Sequence, residues 1–175
     1  IEMTRDIALR FNHIYGETFK IPEAHISKDI PLLSGTDGRK MSKSYKNYIE
    51  LFVNEKELQK SINKIVTDSL LPGEPKKTKD SVLFNYFKAF SSKEFLLEVE
   101  KMFLDGKGWG DLKKELFTLV DKELKVYREK YYYYLDNSNE VEKILTEGEN
   151  KVSVIAEKKL SGIRKKVGIR ALDEK

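Results

Sequence analysis

A mainly α-helical fold is predicted for this chain of 175 residues. Three observations predict it. Apolar residues recur at helical spacing along most of the sequence. Pairs that fit capping boxes, Asn54 with Glu57, Ser91 with Glu94 and Asn139 with Glu142, stand at the heads of those stripes. Turn-forming residues mark breaks between those stripes, at Gly16, residues 71–80, Gly106 to Gly110 and Gly168.

The first helix carries Met3, Ile7, Ala8, Phe11, Ile14 and Tyr15, and Gly16 stops it. Phe19 to Ile30 reads as extended, because Pro22 forces its start out of helix and Ile26 and Ile30 fit strand or turn positions. Pro31, Leu32 and Leu33 lead into a glycine-rich, cationic stretch. Tyr48, Ile49, Leu51, Phe52 and Val53 follow it and are expected to be buried. Asn54 then caps a helix with Leu58, Ile62, Ile65 and Val66, closed by Thr67-Asp68. Residues 71–80 form a connector whose Lys76, Lys77 and Lys79 suit a phosphate backbone or simply water.

Beyond the connector the chain reads as almost entirely helical. Asp80 or Ser81 caps a helix bearing Val82, Leu83, Tyr86, Phe87 and Phe90, and Ser91 caps one bearing Phe95, Leu96, Val99, Met102 and Phe103. Asp111 caps a long helix with Leu112, Leu116, Leu119, Val120, Leu124 and Tyr127 on one face. Tyr131 to Tyr134 end it. Four adjacent side chains cannot share a helix face, so one or two should pack and the others lie exposed. The last helix, capped by Asn139, carries Val141, Ile144, Leu145, Gly148, Val152, Ile155, Ala156, Leu160, Ile163 and Val167. Gly148 there suggests close approach of another helix or a phosphate.

Composition narrows the function classes. Hydrophobic residues make up 39% and charged residues 35%, the balance of a charge-rich, ordered, soluble protein. The absence of cysteine excludes disulfides and thiolate metal sites, and the two histidines form no metal-ligand spacing. No apolar run reaches the length of a membrane span and no signal peptide is visible, so a cytoplasmic location is the expectation. A net charge of +4 permits a nucleic-acid partner. The chain opens with Ile1 inside a helical pattern rather than with Met, and is expected to be a piece of a longer protein.

The most informative stretch is Ser34 to Asn47, with Lys40-Met41-Ser42-Lys43-Ser44 at its centre. Gly35 and Gly38 loosen the backbone ahead of the charge. Arg39, Lys40, Lys43 and Lys46 place four cations within eight positions, with Ser42 and Ser44 between them. Such a set suits a polyphosphate. It contains no acid or base suited to proton transfer at neutral pH, so its chemistry is electrostatic stabilisation of charge on a leaving group.

Lys40-Met41-Ser42-Lys43-Ser44 resembles the second signature of the class I aminoacyl-tRNA synthetases. The flanking Asp37-Gly38-Arg39 and Tyr45-x-Asn47 resemble the tryptophanyl-tRNA synthetase branch. So do Thr4-Arg5-Asp6-Ile7-Ala8 with Arg10-Phe11-Asn12, Ile65-Val66-Thr67-Asp68-Ser69, Gly110 to Lys114, Tyr127 to Tyr131, Glu147-Gly148 and Ile163 to Gly168. His13-Ile14-Tyr15-Gly16 departs in order and spacing from the first signature, His-Ile-Gly-His, and His13 is read as a surface residue at a helix end.

The resemblance implies the C-terminal part of a class I nucleotide-binding (Rossmann-like) α/β domain, residues 1–53, followed by an α-helical anticodon-binding domain, residues 54–175. It implies activation of tryptophan with ATP to the adenylate and transfer to tRNA(Trp) by a homodimer, with Mg²⁺ arriving on the nucleotide. It assigns Lys40 and Lys43 to catalysis, and Leu33, Ser34, Lys40, Met41, Ser42, Lys43 and Ser44 to ATP binding, with Met41 anchoring the loop by packing. Asp68 would position backbone near the loop or cap a helix. Lys158, Lys159, Arg164, Lys165 and Lys166 are the candidate tRNA contacts, and no protein metal site is expected. The first signature and most of the amino-acid pocket are missing, so the chain alone is expected to form no adenylate. Two other readings stay open at this point: a tyrosyl-tRNA synthetase, and a non-catalytic tRNA- or RNA-binding module.

Overall fold

A computed structural model describes residues 1–25 and 33–169. Among them are six α-helices and no strand: α1 (Glu2–Tyr15), α2 (Glu55–Asn63), α3 (Val82–Phe90), α4 (Lys93–Leu104), α5 (Trp109–Asp136) and α6 (Ser138–Lys166). The mainly α class read from apolar spacing is the class observed. Ile26, Ile30, Pro31 and Leu32, which the sequence assigns to the approach to the cationic stretch, lie outside the described residues. The chain divides into two compact units, Lys28–Asp136 and Ile1–Ser27 with Asn137–Lys175.

The unit Lys28–Asp136 is built on α5. Leu112, Leu116, Val120 and Leu124 recur every fourth residue and form its buried stripe. That stripe packs against α2 and α3, and α3 packs against α4. Leu58 and Ile62 of α2, Leu83, Phe84, Tyr86 and Phe87 of α3, and Val99 and Phe103 of α4 complete the core. Phe103 takes the rings of Phe84, Phe87 and Trp109 edge-on, with centroids 5.4, 6.4 and 5.7 Å away, the arrangement that aligns ring edges with ring faces. Each fully buried Leu, Val or Phe here contributes on the order of 1.5–3 kcal/mol. Leu33, Ile49 and Val53, which flank the cationic stretch, pack against the same core.

Local hydrogen bonding moves several helix ends from their predicted places. Asn54 caps α2 as expected, its Oδ1 accepting from the Glu57 amide at 3.0 Å. The helix closes at Asn63, however, before Ile65, Val66 and Thr67-Asp68. The Lys64 and Ile65 amides reach back only three residues, to Ser61 and Ile62. Ile65 still enters the core, whereas Val66 is exposed. Ser81, not Asp80, caps α3, and Asp80 takes a left-handed turn at φ 62°. Ser91 is not the cap of α4: its amide makes the last bond of α3, to Phe87 O. Ser92, one residue on, caps α4 by accepting from Phe95 N at 3.2 Å.

Asp111 is not a cap either, since α5 already begins at Trp109 and Asp111 lies in its first turn. The tyrosine run does not end α5, which continues to Asp136. All four tyrosines remain substantially exposed, and so are Tyr127, Leu51 and Phe52, which the sequence places inside. Phe52 stacks on Tyr131 at 4.9 Å, so these rings cover each other at the edge of the core. Arg128, to which the sequence assigns no structural role, is buried between Asp121 at 2.5 Å and Glu55 at 3.9 Å, which fastens α5 to the head of α2.

The connector after α2 holds the largest surprise. Lys76 is neither solvated nor available to a phosphate: it is only 1% exposed. Its ammonium donates to the carbonyls of Leu71, Glu74 and Gly106 at 3.1, 3.0 and 3.2 Å and lies 5.2 Å from the centre of the Trp109 ring. Three carbonyl oxygens replace the water a buried ammonium loses. The connector crosses the Gly106 turn so closely that a Cβ on Gly106 would lie 2.5 Å from the Gly73 carbonyl carbon. Gly106 also has φ 78°, so glycine is required there on both counts. Trp109 Nε1 donates to Asp68 Oδ1 at 3.0 Å, tying the far side of the connector to the start of α5.

In the other unit the end of α1 grips the segment after it. Asn12 Oδ1 accepts from the Thr18 and Phe19 amides at 3.0 and 2.8 Å, and its Nδ2 donates to Phe19 O at 2.7 Å. Phe11 lies tilted against Tyr15, with ring centroids 4.7 Å apart, and meets Phe19 edge-on. α6 begins at Ser138 after Asn137, one residue before the predicted cap Asn139, and ends where Gly168 turns at φ 78°. Its apolar stripe is present in sequence, but no residue of α6 is buried. Nothing lies within 4 Å of a Cβ built on Gly148, so the expected close approach there is not observed.

Replacing Lys76 by Met should lower stability by about 1–3 kcal/mol, because three carbonyls lose a donor that an apolar side chain of similar volume cannot supply. Lys77→Met and Lys79→Met, at exposed positions, should stay within about 0.5 kcal/mol of the parent. Urea unfolding of the three variants checks this, and equal losses at all three positions would sink it. Leu116→Ala, at a fully buried site, should cost about 2–5 kcal/mol in the same assay.

Candidate functional site

The stretch Ser34 to Asn47 folds back on itself as a compact loop on the core of Lys28–Asp136. Asn47 is its hub and is 3% exposed. The Asn47 amide nitrogen donates to Asp37 Oδ1 at 2.8 Å and to Lys40 O at 3.2 Å, while its Oδ1 accepts from the Ser42 amide at 2.8 Å. Its main-chain carbonyl accepts from Thr36 N at 2.7 Å. One side chain therefore fixes the backbone on both sides of Met41. Gly35 lies against it so tightly that any Cβ there would overlap the Asn47 amide.

Asp37 is the second fastening. Its carboxylate accepts from the Arg39 amide at 3.0 Å and from the Arg39 guanidinium at 2.7–2.8 Å. The Asn47 amide, together with Arg39, holds the Asp37 carboxyl at about 2. Because that value lies below the usual 3.8, Asp37 steadies the loop fully at all pH values above the ordinary carboxylate range and loses that effect as pH falls towards 2. Arg39 also lies over the Tyr45 ring at 4.3 Å. It is thus committed within the loop, although the sequence counts it among the four cations.

Two hydrogen bonds mount the loop on α3 and on the segment after α2. Tyr86 OH, from α3, donates to Ser34 O at 2.9 Å, and Val66 N donates to Thr36 O at 2.8 Å. Gly38, at φ 83°, faces Val82 and Val66. Burial, aided by the charge of Asp37, pushes the Tyr86 phenol up to about 12, so it remains a donor through the physiological range.

The predicted site residues separate into those that build the loop and those it displays. Leu33 packs on the core, and Ser34 offers its carbonyl inward to Tyr86. Ser42 is half-buried, with its hydroxyl accepting from Ser44 N at 3.2 Å. Lys40, Lys43 and Ser44 are exposed. Met41 is exposed too, so the expected packing anchor is not Met41: Asn47 does that work by hydrogen bonding. Asp68 caps the turn at Leu70 N and takes the Trp109 indole, rather than reaching the loop backbone. Among the described residues no group of three His, Cys, Asp or Glu side chains is placed to hold a metal ion.

The candidate tRNA contacts lie on α6 in the other unit and are not equivalent. Lys159 donates to Thr18 O and passes over the Phe19 ring. Lys166 donates to Glu17 O and Thr18 Oγ1, both at 2.7 Å. These two ammonium groups bind α6 to the segment following α1. Lys158, Arg164 and Lys165 are exposed. Sequence reading assigned no role to Asn47 or Asp37; the signal available was the concentration of small polar residues around the charge, which marks a loop stabilised from within.

Comparison with known proteins gives the family. The family model described as tRNA synthetases class I (W and Y) matches residues 1–125. A tryptophan–tRNA ligase of Neisseria meningitidis is 46% identical over 172 residues, 98% of this chain and 51% of the relative. One from Pseudomonas syringae is 43% identical over 98% of this chain and 39% of the relative. A crystal structure of tryptophanyl-tRNA synthetase from Campylobacter jejuni complexed with ADP and tryptophan superposes with a TM-score of 0.79 at 39% identity, covering 95% of this chain and 53% of that one. The chain thus spans about half the length, or less, of the relatives it matches. No described helix is long and apolar enough to cross a membrane. With a family match over more than two thirds of its length and a Lys40–Ser44 loop folded on its own core, the chain belongs to the class I tRNA synthetases of the tryptophan and tyrosine branch.

Proposed function

We propose that the chain supplies the pyrophosphate-stabilising loop and the tRNA-binding helices of a tryptophan–tRNA ligase. The observation that carries the reading is the loop itself: Lys40 and Lys43 are exposed on a backbone fixed from behind by Asn47 and Asp37. When a tryptophan carboxylate oxygen attacks the α-phosphorus of ATP, the bond from that phosphorus to the bridging oxygen breaks. Negative charge then accumulates on the departing pyrophosphate. Two ammonium groups that tighten their contact only as that charge develops lower the barrier rather than merely binding ATP. Ser42 and Ser44 would add hydrogen bonds, and Mg²⁺ would be held by the nucleotide. The names of the relatives, and the ADP and tryptophan in the Campylobacter jejuni complex, support tryptophan as the amino acid.

In this reading residues 1–53 complete the nucleotide-binding part and residues 54–175 serve tRNA(Trp). The whole protein is a cytoplasmic homodimer, and this chain by itself forms no adenylate. Exposed Lys158, Arg164 and Lys165 meet tRNA phosphates, whereas Lys159 and Lys166 serve first to hold α6.

Tryptophan-dependent ATP–pyrophosphate exchange by the full-length parent, with and without Lys43→Ala, tests the reading. The variant should lose about 10²–10³-fold in turnover. Exchange driven by tyrosine would correct the substrate, and exchange by this chain alone would remove the claim of dependence on the rest of the protein. For the helices, Lys158→Ala or Lys165→Ala should each reduce the salt dependence of tRNA binding by roughly one unit of slope. An unchanged slope in both would place the tRNA elsewhere.

A further inference from the structure

We infer that Asn47, working with Asp37, is the positioning residue of the Lys40–Ser44 loop: it sets the directions of Lys40 and Lys43 and so acts on the leaving-group step without touching substrate. The inference rests on the proposed ligase reading and goes beyond it, since no role for either residue follows from the charges alone.

The bonding pattern is specific. Lys40 contributes its carbonyl to the Asn47 amide, and Ser42 contributes its N–H to the Asn47 oxygen. The two bonds clamp the chain immediately before and after Met41, which is itself 38% exposed. Lys40 and Lys43 each lie within one residue of a clamped position. A change in the Asn47 side chain therefore alters where both ammonium groups start from. Asp37 in turn orients the Asn47 amide. By accepting from Nδ2 it dictates which end of the amide is nitrogen and hence that Oδ1 faces Ser42 N. The buried position of Asn47 and the glycine required at 35 leave the amide one arrangement.

No other side chain of the loop can take over. Asp37 and Arg39 are used on each other. Ser42 Oγ is used on Ser44 N. Lys46 sits in a left-handed turn at φ 50°, where its amide closes on Lys43 O at 3.2 Å. The turn closes the loop but carries nothing back to Lys40.

A role through the lysines makes a different prediction from simple stabilisation. In the full-length parent, Asn47→Ala should lower turnover in pyrophosphate exchange by about 100-fold, the scale expected when a reacting geometry is lost by roughly an ångström, with the KM for tryptophan unchanged. In a Lys43→Ala background the same change should cost about tenfold or less, because one of the two groups it positions is gone. Asn47→Asp, which keeps an acceptor for Ser42 N but loses the donor to Lys40 O and sets a second carboxylate beside Asp37, should not recover turnover over Asn47→Ala. Full additivity with Lys43→Ala, or turnover per folded molecule equal to the parent, would overturn the inference. Absence of exchange in the unmutated parent with either tryptophan or tyrosine would instead defeat the ligase reading on which it rests.

Discussion

Four cations within eight residues repel one another, and a short loop that carries them must be held against that repulsion. In water two unit charges 4 Å apart interact by about 1 kcal/mol, more where solvent is partly excluded. The stretch from Ser34 to Asn47 contains a single carboxylate, Asp37. It is shared between Arg39 and the Asn47 amide. The remaining restraint is neutral. The Asn47 amide bonds to backbone and to Asp37 and adds no charge that would draw Lys40 or Lys43 inward. A second carboxylate in its place would compete with phosphate for those lysines. A neutral amide holds the backbone and leaves the ammonium groups to the ligand, which is the arrangement an electrostatic catalyst needs.

The loop is only as well placed as the helices beneath it. Tyr86 and Val66 connect it to α3 and to the end of α2, and the tightly buried stripe of α5 supports both. The connector between α2 and α3 could have been a weak link. Lys76 removes that weakness by satisfying three carbonyls at once under the Trp109 ring, and Asp68 closes the other side. Polar side chains thus organise the irregular segments, and apolar periodicity organises the helices. The first kind of order is specific and local, while the second is distributed over the thirteen side chains of the buried cluster.

That division explains what the sequence disclosed. The stripe of α5, the Asn54 cap and the stops at Gly16 and Gly168 follow from short-range rules and were legible. The Lys40–Ser44 string marked the loop and pointed to the family. The capping-box spacing pointed to Ser91, because Glu94 stands three residues on, and only the last bond of α3 shows that the cap is Ser92. The fate of Lys76 depends on Gly106, 30 residues away, and nothing local marks a lysine as buried. The apolar stripe of α6 was legible as a stripe but not as buried, because amphipathicity records a preference for a partner and not its presence. Asn47 was visible only as part of a string, and its work depends on a folded loop that the string does not describe.

A loop of this kind has to be firm at its base and free at its tip, because closing over a nucleotide and opening afterwards both require movement. The bonds here grade accordingly. Thr36 and Asn47, at the base, are buried, and the Asn47 side-chain bonds are partly shielded from water. Lys43, Ser44 and Tyr45, at the tip, are exposed and joined mainly by local turns. Hydrogen bonds open to solvent exchange for water at little net cost, whereas buried ones do not. Motion is therefore cheapest around Lys43 and most expensive at Asn47. The loop can swing its outer lysine without losing the clamp that tells it where to return, and the protected base makes each return lead to the same geometry.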